Sequence, residues 1–141
     1  MKKNIKSVLI VVAHRDDEIL GCGGTIAKLI EDKYKVYAIS MTNGVSSRVR
    51  SSKKEIEQRY KNSLKASKII GFNWLNKNSG NFADNAMDSE PLLNIIKVIE
   101  KAKKITNPEI VITHFPEDLN IDHQIVSSAT LTAFRPKTSQ T

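Results

Sequence analysis

The stretch Ser7-Val8-Leu9-Ile10-Val11-Val12 is continuously apolar rather than alternating, which marks a strand covered on both faces, as in a parallel sheet. It runs directly into Ala13-His14-Arg15-Asp16-Asp17-Glu18, a turn dense in ionisable groups. Charge at the end of a buried strand is tolerated when it is paired or coordinates a metal. His14 and Asp17 are three residues apart, so in a tight turn or first helical turn they point the same way. An imidazole and a carboxylate are a usual part of a zinc ligand set, and Asp16 then stands beside the metal as a proton acceptor. The plainer alternative is that the acids favour the positive end of the coming helix.

Downstream, apolar or small residues at Ile19, Cys22, Gly23, Ile26, Ala27 and Ile30 follow the helical period to about Asp32-Lys33. Lys35 to Thr42 reads as a second strand closed by the turn signal Asn43-Gly44. Strand, helix and strand within forty residues make a right-handed βαβ unit. Val45 to Ser52 is a polar loop, and a helix is expected from about Lys53 to Ile70, ended by Gly71 as a left-handed cap. Its rows place Arg59 on the face that meets the sheet, where it either snorkels to water or touches a ligand. Phe72 to Leu75 is a weak third strand, and Asn76 to Asp88 a long connection of the kind that lines sites. Ser89, Glu90 and Pro91 open a helix with Leu92, Ile95, Ile96 and Ile99 as its buried stripe. Glu109 to Thr113 is the fourth strand. It leads into a second polar loop, His114 to His123, and a last helix with Asp122 as N-cap, stopped by Arg135-Pro136 before a polar tail from Lys137 to Thr141.

Four strands alternating with helices predict a doubly wound, Rossmann-like three-layer α/β/α fold with a mostly parallel sheet in the order 3-2-1-4. Strands one and four are then neighbours with the winding reversing between them, and ligands bind at that crevice, beyond the carboxyl ends of the strands. The loop after strand one holds His14, Asp16 and Asp17; the loop after strand four holds Asn120, Asp122 and His123. Topology thus converges two histidines and a carboxylate on one point, the open arrangement of hydrolytic zinc sites. His114 is an alternative ligand, or else a supporting donor or core histidine. Gly21-x-Gly23-Gly24 lies too far after the strand for a dinucleotide fingerprint and reads as small residues that let a helix approach the sheet.

The formal charge of +7 raises nucleic acid as a partner. Most of the excess, however, falls between Arg48 and Lys68 as the solvated face of one helix, and no nucleic-acid-binding signature accompanies it. Nucleic acid and stable membrane insertion are therefore not expected, and a homo-oligomer is compatible with the sequence. The basic start, Met1 to Lys6, is followed by too short an apolar run for a signal peptide, so a cytoplasmic location is expected. The lone Cys22 excludes an internal disulfide.

Ala-His-Arg-Asp-Asp-Glu-Ile-Leu-Gly-Cys-Gly-Gly at 13 to 24, Arg59 followed by Gly71, Asp84-Asn85-Ala86-Met87-Asp88, and Asp118-Leu119-Asn120-Ile121-Asp122-His123 together resemble the PIG-L/LmbE-like zinc-dependent de-N-acetylases. The resemblance covers almost the whole chain, residues 1–141 as one domain. It implies zinc, or another divalent transition metal, held by His14, Asp17 and His123. It further implies Asp16 as general base, Arg59 toward the substrate and an acetylated amino sugar as that substrate; Asn120 and Asp122 are expected beside Asp16 in the catalytic set, and Arg15 either alters the turn or reaches toward the substrate. Arg15 stands where the family usually has proline, and Asn120 where many members have a histidine that assists the tetrahedral intermediate. Asn120 donates a hydrogen bond but cannot protonate a leaving amine, which leaves His114 or Asp16 for the acid role. Family members typically continue well beyond this length, so the chain is expected to lack their C-terminal portion. A metal-dependent amidase on another small conjugate, or a catalytically incomplete metal- or sugar-binding domain, are the rival readings.

Overall fold

A computed structural model of the protein describes residues 5–44, 52–75 and 81–136. The basic start up to residue 4, residues 45–51 of the first long loop with Arg48 and Arg50, residues 76–80 of the second connection and the tail from Lys137 lie outside the described residues. Four parallel strands, β1 (Ser7–Val12), β2 (Lys35–Ser40), β3 (Asn73–Trp74) and β4 (Ile110–Ile112), form one sheet in the order β3-β2-β1-β4. This is the expected order. Helices α1 (Asp17–Glu31), α2 (Lys53–Ile70), α3 (Leu92–Thr106) and α4 (Ile121–Ala133) alternate with the strands.

The continuous apolar run of β1 explains the layering, because all six of its residues are buried and their alternating side chains feed two cores. Val8, Ile10 and Val12 join Ile26, Val36, Ala38 and Phe72, with Ile19 and Leu29 of α1 and Ile70 of α2 packed against them. Leu9, Val11 and Ala13 join Ile39, Met41 and Met87, together with Ile95, Ile96 and Ile99 of α3 and Val126 and Ala129 of α4. Helices therefore cover both faces, and the functional loops have only the ends of the strands left to them. Beyond the regular pairing the ends of β1 and β2 stay tied: Thr42 N donates to Ala13 O at 2.9 Å, and the hydroxyls of Ser40 and Thr42 donate to the same carbonyl at 3.2 and 3.0 Å.

Helix α2 has the expected bounds for local reasons. Ser52 and Glu55 form a reciprocal capping box at its start, and Gly71 ends it in the left-handed conformation at φ 106°. Other expectations need correction. Leu92 is 39% exposed, so the buried stripe of α3 starts at Ile95; Ser89 belongs to a short 3-10 turn (Met87–Ser89), and Pro91, not Ser89, occupies the N-cap position. A Cβ at Gly21 or Gly24 would meet nothing within 4 Å, and one at Gly23 only Ile19 Cγ2 at 3.7 Å, so these glycines do not serve a close helix–sheet approach. They flank instead a break in α1 at Cys22, whose φ/ψ of −145°/23° is not helical. Asp122 is not the N-cap of α4; Asn120 is, its Oδ1 accepting from the backbone N–H groups of Asp122 and His123. Among the described residues no helix is long and apolar enough to cross a membrane.

Ile99 is fully buried at the centre of the α3–α4 side. Ile99→Ala is expected to cost about 2–5 kcal/mol of stability, read as a lower urea midpoint with an unchanged denaturant slope.

Candidate metal centre

The two polar loops meet at the carboxyl ends of β1 and β4. His14 Nδ1, Asp17 Oδ2 and His123 Nε2 form a triangle with sides of 3.2 Å (His14–Asp17), 3.2 Å (His14–His123) and 3.3 Å (Asp17–His123). Four ligands at bonds of about 2.0–2.1 Å around a tetrahedral ion stand about 3.3 Å from one another. The triangle is one face of such a tetrahedron, and the donor set, two imidazole nitrogens and a carboxylate oxygen, is one that zinc accepts. These three side chains are one group among the described residues that could hold a metal; His14 with the buried Asp84 and Asp122, on its other ring nitrogen, is a second.

Each member is oriented from behind. His14 turns its Nε2 toward Asp84 Oδ1 at 3.0 Å and Asp122 Oδ2 at 3.1 Å. Asp122 is 0% exposed and is itself fixed by the backbone N–H groups of Asn85 at 2.6 Å and Met87 at 3.1 Å. His123 turns its Nδ1 toward Asp118 Oδ2 at 3.0 Å. A carboxylate on the far nitrogen fixes tautomer and ring plane, as metal-ligating histidines require. Asp17 Oδ2 also accepts the His14 backbone N–H at 2.8 Å. The loops place these side chains because the turn after β1 runs at once into α1, with Asp17 and Glu18 in its first turn, while Asn120 caps α4 and so sets His123 in that helix's first turn.

The electrostatics follow. Burial would lower the His14 pKa, but the hydrogen bond and charge of Asp17, joined by Asp122 and Asp84, overcome it and raise the value to about 9. Burial would raise Asp17, yet the His14 side chain and backbone and the His123 charge hold it below the ordinary carboxylate range. His114 goes the other way, pushed down to about 4 by burial and by the charge of His123. Its Nε2 accepts the Ala13 N–H at 2.8 Å and its ring stacks on His123 with centroids 3.9 Å apart. That lone pair is already engaged, so His114 is an acceptor that supports the loop rather than a ligand.

The remaining expected residues lie to one side. Asp16 is 45% exposed and one of its carboxylate oxygens is bonded by the Arg59 guanidinium, which reaches over from α2. Gly44, at φ 70°, makes that reach feasible: a Cβ there would stand 3.2 Å from Arg59 Nε and 3.3 Å from His14 Cβ. Arg15 is only 7% exposed; its guanidinium lies over the Trp74 ring at 4.2 Å, near Tyr60 at 5.0 Å, and donates to Ser63 Oγ at 3.1 Å. Asn120, besides capping α4, donates from Nδ2 to Asn85 Oδ1 at 3.4 Å. Reasoning from sequence missed Asp84 and Asp118 as partners of the two imidazoles. The signal was there, since both lie in the quoted motifs, but nothing in their spacing says which ring each would meet.

Comparisons with known proteins bear on the family and the fold. The family model described as PIG-L: GlcNAc-PI de-N-acetylase matches residues 9–134. Among curated proteins, the uncharacterized deacetylase YaiS of Escherichia coli (strain K12) is 31% identical over 134 residues, covering 92% of this chain and 69% of that protein. Among solved structures, the N,N'-diacetylchitobiose deacetylase of Pyrococcus horikoshii superposes with a TM-score of 0.74 at 23% identity, over 92% of this chain and 49% of that one. GalB, the 4-carboxy-2-hydroxymuconate hydratase of Pseudomonas putida KT2440, superposes with a TM-score of 0.76 at 22% identity, over 92% of this chain and 55% of that one. The chain therefore spans about half the length of these structural neighbours.

With His14 holding its proton up to about pH 9 in the metal-free chain, a metal has to displace that proton. Zinc binding at pH 7.5 is expected to release about one proton, and its affinity to rise by about tenfold per pH unit as the pH climbs toward 9. Calorimetric titration in two buffers of different ionisation enthalpy checks both.

Proposed function

The chain belongs to the PIG-L family, and from that membership we propose that it carries the metal centre of a hydrolase that removes an acetyl group from an N-acetylglucosamine-type sugar or glycoconjugate. The observation that supports this most is the donor triangle of His14, Asp17 and His123, with sides of 3.2, 3.2 and 3.3 Å. These residues would hold zinc, or another divalent transition metal. When bound, such an ion lowers the pKa of water from 15.7 to about 7 and polarises a carbonyl oxygen.

The chain's own residues supply the rest. Asp16 stands next to a ligand in sequence and is open to solvent, so it takes the proton of the attacking water. Arg59 holds one of its oxygens and keeps the carboxylate turned to its task, leaving the other oxygen for the proton. When the carbon–nitrogen bond breaks, the leaving amine needs a proton. His114 is a poor source, its Nε2 being engaged by Ala13 and its pKa pressed down to about 4. Asp16 hands on the proton it has taken, so the amine leaves neutral together with acetic acid, which ionises to acetate in solution. Asp122 and Asp84 act through His14, and Asp118 through His123, as positioning residues. Asn120 positions His123 by capping its helix.

Fold alone does not choose this reaction, because the Pseudomonas hydratase has the same architecture; the choice rests on family and donor set. Acetate release from N-acetylglucosamine derivatives, measured alongside metal content, is the test. Asp16→Asn is expected to keep metal and lose about a hundred- to ten-thousandfold in turnover, whereas His123→Ala loses the metal. Equal metal loss in both variants would overturn this division of roles, and full-length protein that binds zinc yet releases no acetate from any acetylated sugar would overturn the hydrolase reading.

A further inference from the structure

Arg15 takes no part in the donor triangle or in the chemistry above, yet it is buried in the turn that supplies two of the three donors. Burying a guanidinium is costly unless it is well compensated. Here the compensation comes from α2 and β3: the guanidinium donates to Ser63 Oγ at 3.1 Å, lies over the Trp74 ring at 4.2 Å and is near the Tyr60 ring at 5.0 Å. Those anchors are themselves fixed. Ser63 Oγ donates to Tyr60 O at 2.8 Å, Trp74 Nε1 donates to Ser63 O at 3.3 Å, and the Trp74 ring meets the buried Phe72 edge-on with centroids 5.6 Å apart. The turn that carries Arg15 is tightly wound. His14 O accepts the N–H groups of Asp16 at 3.1 Å and Asp17 at 3.3 Å, and Asp17 Oδ2 returns to the His14 N–H at 2.8 Å. Arg15 thus stands between the two donors of this turn. Its side chain goes to α2 and β3, while theirs meet His123 of α4. Helix α2 grips the turn twice, because Arg59 bonds Asp16 and Ser63, four residues on, takes Arg15.

We propose that Arg15 is a positioning residue for the metal centre: by fastening the middle of the turn to Ser63 and to the face of Trp74, it holds His14 Nδ1 and Asp17 Oδ2 at the spacing an ion requires. The planar shape of the guanidinium matters as much as its charge. A stacked plane fixes the direction of the side chain, and with it the turn, whereas an ammonium on a flexible stem does not. The inference rests on the donor triangle as a metal site, but not on the hydrolase reading or on any substrate.

The test uses zinc alone as the probe, its affinity read by competition with a chromophoric chelator on protein whose folding is checked by circular dichroism. Arg15→Lys keeps a positive charge beside the buried Glu18 and removes the flat face. Trp74→Leu removes the platform and keeps the charge; Trp74→Phe keeps an aromatic platform. Losing a group that orients a metal ligand commonly costs about tenfold to a hundredfold in metal affinity. Zinc affinity is therefore expected to fall by about that factor in Arg15→Lys and in Trp74→Leu, and to stay within about threefold of wild type in Trp74→Phe. The double variant Arg15→Lys/Trp74→Leu should bind no more weakly than the worse single one, since both break the same contact. Zinc affinity within about twofold of wild type in both single variants overturns the proposal, and so does a lower melting temperature with unchanged zinc affinity, which makes the cluster a matter of stability alone. A wild type that binds no zinc sinks the metal reading, and the imidazole 15N shifts of the metal-free chain, which report the His14–Asp17 contact, then decide: shifts that move in Arg15→Lys and Trp74→Leu sustain the positioning role, and unmoved shifts overturn it.

Discussion

A single oxygen atom organises the end of the sheet. Asp17 Oδ2 accepts the backbone N–H of His14 at 2.8 Å and lies within 3.2, 3.3 and 3.4 Å of ring nitrogens of His14, His123 and His114. Those nitrogens come from the turn after β1, the first turn of α4 and the residues after β4, which are brought within reach because β1 and β4 are hydrogen-bonded neighbours. Remove the carboxylate and His14 and His123 keep only their partners behind, Asp84, Asp122 and Asp118, with no charge between the two rings. The sheet supplies the proximity, and this charge makes the proximity stable.

Much of this was legible in the chain because the signals were local and redundant. The unbroken run from Ser7 to Val12 implied a strand buried on both faces, and strand order followed from alternating elements with right-handed crossovers. Once β1 and β4 were neighbours, His14, Asp17 and His123 had to share one end of the sheet. What stayed hidden depended on contacts between distant segments. Asp122 is a good cap by type, and its position one residue before His123 gave no hint that it would lie under the His14 ring while Asn120 capped the helix. The chain likewise suggests that Arg15 alters the turn or reaches toward the substrate; only the placement of Trp74 and Tyr60, from β3 and α2, makes its burial tolerable. The glycines after Gly21 were misjudged because glycine is equally compatible with a close approach and with a break in a helix, and the break at Cys22 decides between them.

The site is asymmetric in its support. On the side of α3 and α4, His14 rests on Asp84 and Asp122, both buried and one of them fixed by backbone donors. On the side of α1 and α2, Asp16 is open to solvent. Rigid backing on one flank and an open carboxylate on the other is what a centre needs if it holds an ion firmly and exchanges small molecules.

The reciprocal cap at Ser52 and the left-handed Gly71 set both ends of α2, and between them Arg59 projects to Asp16. A slip of one residue along that helix would swing Arg59 by about 100° around its axis and carry it off the carboxylate. The alignment of the most exposed acid in the centre is thus governed from a distance, by the punctuation of a helix that contributes no ligand.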